Sequence, residues 1–144
     1  MCMMVYIASD RPLPVIPWDE DRPAFHAKEV AEHEPARRQF SKPYVYYVGA
    51  HEGCGCGFQY GQDPSVEDEK DVALAKTSRR ELVKYLRRAL ATVAMVELYA
   101  CWDGDQAANP VGRSVVSPND LLKSRTFFEE KEFLQIVAKR LLAQ

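Results

Sequence analysis

Two rhythms of apolar residues run through this chain. Short runs rich in β-branched and aromatic side chains mark strands at 3–8, 44–48 and 93–102. Tyr44-Val45-Tyr46-Tyr47-Val48 has no polar alternation, so the pattern predicts a strand buried on both faces. From Val93 to Trp102 the pattern alternates: Val96, Leu98 and Ala100 fall on one side, Glu97, Tyr99 and Cys101 on the other. Between these strands Leu82, Val83, Leu86, Ala89 and Leu90 recur at helical spacing, with Arg80, Lys84, Arg87 and Arg88 on the opposite face. Ser78-Arg79-Arg80-Glu81 has the form of a capping box, which predicts a helix over 78–91.

Elsewhere the punctuation is clearer than the elements. Arg11 to Trp18 carries Pro12, Pro14 and Pro17 and must be extended, outside any central strand, because proline lacks the ladder donor. Its Leu13, Val15, Ile16 and Trp18 suit a strap docked on the protein's own core. From Pro23 to Phe40, Phe25, Ala27 and Val30 fit a strand and a helical turn equally poorly. The acidic stretch from Gln62 to Asp71 reads as a solvated linker or frayed helix. Ser117-Pro118 predicts a second helix start, and Thr126-Phe127-Phe128-Glu129 a third. Residues 133–137 suit either a terminal helix or a strand.

These elements imply an α/β fold: one domain spanning 1–144, with a small mixed sheet of three to five strands. Its centre is a strand–helix–strand unit (44–48, 78–91, 93–102), followed by C-terminal helices. The predicted core joins Val45, Tyr47, Leu82, Leu86, Leu90, Val96 and Leu98. If the strands lie parallel, their carboxyl ends share one rim, where open α/β sheets hold ligands. That rim would gather Asp10, Arg11, His51, Glu52, Cys54, Cys56 and Asp103.

Composition narrows the class without naming a reaction. The chain has 144 residues, 47% apolar and 28% charged, a globular balance for one domain. A net charge of −2 provides no field to gather nucleic acid or anionic membrane. The apolar start at 1–8 lacks a basic leader and no apolar stretch is long enough for a bilayer span, so a cytoplasmic location is expected. Cys2, Cys54, Cys56 and Cys101 are accordingly expected to be reduced.

The most unusual local feature is Gly53-Cys54-Gly55-Cys56-Gly57. The segment 49–58 holds four of the chain's seven glycines. Such alternation predicts at least one glycine at positive φ and an accessible thiol near Asp10 or Asp103. Its successive amides could cradle an anion. The glycine spacing is not that of a dinucleotide loop, and no phosphate-loop motif is present. The expected role is a small binding protein whose site for a small ligand or anion is this loop. The alternatives are a thiol-dependent enzyme or a redox or metal-binding protein using Cys54 and Cys56, and a protein–protein module. These residues define no catalytic set. No cofactor is expected; zinc is the alternative, held by Cys54 and Cys56 with Cys101 and His51. No nucleic-acid or membrane partner is expected, which leaves a homo-oligomer as the partner to consider.

Overall fold

The structure, a computed structural model, describes residues 2–59, 68–123 and 128–142. Six strands form one mixed sheet: β1 (Met3–Ser9), β2 (Phe25–Glu29), β3 (Tyr44–Ala50), β4 (Met95–Trp102), β5 (Gly112–Val116) and β6 (Glu132–Val137). Their order is β2-β3-β1-β4-β6-β5. The sheet is thus larger than the three to five strands the pattern predicts. Two short strands account for the difference: β2 falls in the ambiguous 23–40 segment, and β5 is largely exposed with no apolar alternation.

β3 and β4 run in the same direction, as the strand–helix–strand pattern implies, but they are not neighbours. β1 lies between them and is antiparallel to both, with Val5 opposite Val48 on one side and Ala100 on the other. The helical connection therefore crosses over β1. Among the described residues only β5 and β6 pair in parallel. The 133–137 segment is strand β6, paired along β4, and the remaining C-terminal helix is α3 (Lys139–Leu142).

The crossover helix α1 spans Glu69–Leu90 and starts nine residues before Ser78. Its cap is Asp68, whose carboxylate accepts from the Lys70 amide at 2.7 Å. Glu69 and Asp71 in the first turn complement the helix dipole, so the acidic tail of the expected linker is a helix start. Ser78 is buried mid-helix and caps nothing. The third helix start expected at Thr126 lies outside the described residues. The one at Ser117 is present: α2 (Pro118–Lys123) begins with the Ser117 amide donating to the Asp120 carboxylate at 2.8 Å. No helix among the described residues is long and apolar enough to cross a membrane.

Both faces of the sheet are covered. On the α1 side, Leu82 and Leu86 pack with Val5, Ile7, Val48, Val96, Leu98 and Ile136. Full burial of each such side chain contributes about 1.5–3 kcal/mol. Tyr47 lies on the opposite face with Tyr6 and Ala36, which corrects its predicted place beside the helix. Val45 shares that parity on β3, two residues away. A run apolar on both faces leaves its parity undetermined, and here Tyr46, Val48 and Ala50 meet the helix side.

The second face is roofed by the segment between β2 and β3. Its short 3₁₀ helix, Pro35–Gln39, buries Ala36. Glu97 points into this roof and is only 4% exposed. Its carboxylate accepts from the Ser41 amide at 2.9 Å, the Lys42 amide at 3.1 Å and the Ser41 hydroxyl at 3.0 Å. Those three donors make burial of the charge tolerable. The proline strap docks through only part of its apolar set, since Val15 and Trp18 are exposed. Leu13 is buried, Ile16 bridges to Ala27, and the Tyr46 hydroxyl accepts from the Leu13 amide at 2.8 Å.

Candidate functional site: a three-thiol cluster at one edge of the sheet

Because β1 is antiparallel to its neighbours, its beginning meets their ends. Cys2 therefore arrives at the edge where β3 and β4 finish, and its carbonyl accepts from the Asp103 amide at 2.8 Å. Ser9 pairs with Tyr44 at the start of β3, so Asp10 and Arg11 belong to the opposite edge. There Asp10 pairs with Lys42 at 2.9 Å. The expected common rim keeps His51, Glu52, Cys54, Cys56 and Asp103 but loses Asp10 and Arg11, because the first strand is reversed.

Beyond β3 the chain turns sharply. Gly53 has φ of 89°, and the Ala50 amide donates back to the Cys54 carbonyl at 3.0 Å. A one-turn 3₁₀ helix, Gly55–Phe58, follows. Gly55 and Gly57 are required for space. A Cβ on Gly55 would stand 2.7 Å from the Met3 carbonyl oxygen, and one on Gly57 would stand 2.7 Å from the Ala50 Cβ. The glycine surface thus receives the protein's own β1 and β3. The amides of Gly53 and Gln59 donate to loop carbonyls, which removes them from an anion cradle.

Those contacts bring three sulfurs together. The Sγ atoms of Cys2, Cys54 and Cys56 lie within 4.8 Å of one another. Cys2 is exposed; Cys54 and Cys56 are half-buried. The Met3 amide donates to the Cys56 sulfur at 3.1 Å. Burial pushes the Cys54 thiol up to about 12, with the neighbouring Cys2 and Cys56 thiols adding to the rise. The Cys56 amide, which donates to the Cys54 sulfur, works in the other direction. An activated nucleophile needs a lowered pKa, and burial shifts Cys54 the other way.

No family model, curated protein or solved structure matches the chain.

Cys101 does not join the cluster. It is fully buried on the second face, beside Tyr99 and Phe133, where burial pushes its thiol up to about 12. The alternation along β4 already separated it from Ala100, which faces α1, but not from the loop. His51 is also buried and turns toward α1, where its amide donates to the Ser78 hydroxyl at 3.1 Å. Burial lowers its imidazole below the ordinary value, against the opposing pull of Glu52 and Asp71. The Asp103 carboxylate accepts from the Gln106 side chain at 2.7 Å. The residue missed by sequence reasoning is Cys2, because two residues ahead of a strand carry no signal of which sheet edge they will reach.

An open cavity of about 490 Å³ adjoins the cluster on the second face, with Met4, Tyr6, His26, Glu34, Tyr47 and Gly53 among its walls. The Gly53 carbonyl accepts from the Tyr47 hydroxyl at 3.3 Å and lies 2.8 Å from His26 Nε2. The Tyr47 phenol is raised above its ordinary value by burial first, and next by the neighbouring Cys54.

Proposed function

We propose that the chain binds a thiophilic d10 metal ion, zinc or Cu(I), through Cys2, Cys54 and Cys56. The observation that carries this reading is the convergence of three sulfurs, from two distant segments, to within 4.8 Å of one another. Metal–sulfur bonds of about 2.3 Å place sulfurs around one ion at separations of roughly 4 Å, so only small adjustments would be needed. Thiolate is the ligand type that selects soft and borderline ions. Two features favour metal over a redox nucleophile. The first is the raised Cys54 thiol: burial first, and then the neighbouring Cys2 and Cys56, disfavour a bare thiolate, whose charge a bound cation would offset. The second is the pair of backbone amides directed at the Cys54 and Cys56 sulfurs, which hold them in place. Three ligands with one exposed member leave a position open to solvent. That suits an ion taken up and handed on, or a site that admits a further ligand.

Untagged, reduced protein titrated with Co2+ tests the reading. A thiolate-to-cobalt absorption band is expected to saturate at one equivalent and to be displaced by zinc or Cu(I). Cys2→Ser, Cys54→Ser and Cys56→Ser should each weaken it, and Cys101→Ser should leave it intact. Absence of the band, or its survival in all three serine variants, would overturn the proposal.

A further inference from the structure

Beside the thiols, the turn after β3 and the first turns of α1 bring together a second, chemically different set of groups. A ring nitrogen of His51 and carboxylate oxygens of Glu52 and Asp71 lie within 4.8 Å of one another. We infer that His51, Glu52 and Asp71 form a separate site for a hard divalent cation, of the Mn2+ type.

The geometry of Ser78 supports this. Its hydroxyl has one proton, donated to the Ala24 carbonyl at 2.6 Å, and it accepts from the His51 amide at 3.1 Å. The contact between His51 Nδ1 and the same oxygen, at 3.2 Å, must then be Nδ1–H donating to oxygen. The neutral ring consequently carries its lone pair on Nε2. A histidine fixed through one nitrogen so that the other can ligate is the arrangement of metal-bound imidazoles. His51 is only 7% exposed, and a Cβ on Gly57 would come within 3.0 Å of its Nδ1 and 3.1 Å of its Cε1. Gly57 thus leaves room for the ring in this position.

The helix supplies both the orienting group and a ligand. Asp71, Ala75 and Ser78 stand at i, i+4 and i+7, on one face of α1. Ser78 holds the ring while Asp71, two turns earlier, offers its carboxylate. Glu52 is exposed, which provides an entry path. Two carboxylates and a neutral imidazole form a ligand set with charge −2, suited to a divalent ion and unsuited to Cu(I). The two sites therefore differ in the ions they prefer, and this inference does not depend on the thiol reading.

Mn2+ titration of the full chain, followed by loss of the free-ion EPR signal, is the test. One bound equivalent is expected, unaffected by Cys54→Ser. Asp71→Asn should abolish it, and Ser78→Ala should weaken it about 10–100-fold, the usual effect of removing an orienting partner. Imidazole ¹⁵N spectra of the manganese-free protein should show His51 as the Nδ1–H form, with Nε2 shifting when diamagnetic Zn2+ is added beyond the equivalent that the thiols take up. No Mn2+ binding to the folded wild type, binding unchanged in Asp71→Asn, or a doubly protonated His51 held as an ion pair near neutral pH would each overturn the inference.

Discussion

The Met3 amide donates to the Cys56 sulfur at 3.1 Å, joining groups 53 residues apart in the chain. This bond connects the first strand to the glycine-rich loop. It exists because β1 runs against β3 and because Gly55 lets the loop backbone come close to Met3. The thiol cluster therefore depends on the sheet as much as on the cysteine motif.

Metal affinity at the cluster should climb steeply with pH. Each thiol must lose its proton to ligate, and Cys54 is held protonated up to about 12. Zinc affinity measured by chelator competition between pH 6 and 8 should rise by about a power of ten per pH unit for each thiol deprotonated. Cys54→Ser should lower that slope by about one. An unchanged slope would show that Cys54 is not a ligand.

Gly53→Ala and Gly55→Ala should both destabilise the fold, for different reasons. At Gly53 there is space for a Cβ but φ is 89°, so the cost is backbone strain of about 1–2 kcal/mol. At Gly55 the dihedral is not the obstacle; the added carbon would meet the Met3 carbonyl at 2.7 Å, an overpacking cost of about 1–3 kcal/mol. Urea denaturation gives both values. Only Gly55→Ala should also push the loop off β1 and weaken cobalt binding.

Leu86 is fully buried between α1 and the sheet. Leu86→Ala should cost about 2–5 kcal/mol by urea denaturation. Val115, 52% exposed on the edge strand β5, is the control, and its alanine variant should change stability by about 0.5 kcal/mol or less. Similar losses at the two positions would contradict the packing of α1 against the sheet.

The Ser117 amide, donating to the Asp120 carboxylate, holds that carboxyl below its ordinary range. A carboxyl with a depressed folded-state pKa contributes stability above its unfolded value, near 3.9. That contribution is lost as pH falls through the lower folded-state value. Asp120→Asn should therefore flatten the acid limb of stability against pH below about 4, with little change in that limb's shape at higher pH. Thermal denaturation across pH 2–7 would reveal it.

Local pattern was enough to place the strands expected at 44–48 and 93–102, the body of α1 and the extended strap, because periodicity and proline chemistry act over a few residues. Helix capping shows where such reading stops. Ser78-Arg79-Arg80-Glu81 has the letters of a cap, yet good helix formers and Asp68 extend α1 upstream, and Ser78 is used to hold His51. Glu97 likewise falls opposite Val96, Leu98 and Ala100 by alternation, and only the packed fold shows Ser41 and Lys42 closing over it.

The cysteine loop divides in the same way. Its glycines announce an unusual backbone by themselves, and Gly53 has the positive φ they imply. Which cysteines meet is a non-local matter. It depends on the order and direction of strands, which follow from how the whole sheet buries both faces. Reversing β1 between β3 and β4 carries Asp10 to the far edge and delivers Cys2 to the near one. The parity of β4 points Cys101 into the second face. Strand direction leaves no mark in a short run of residues, and the alternation along β4 separates Cys101 from Ala100 without saying which face the loop meets, so the ligand set emerges only when the strands are packed.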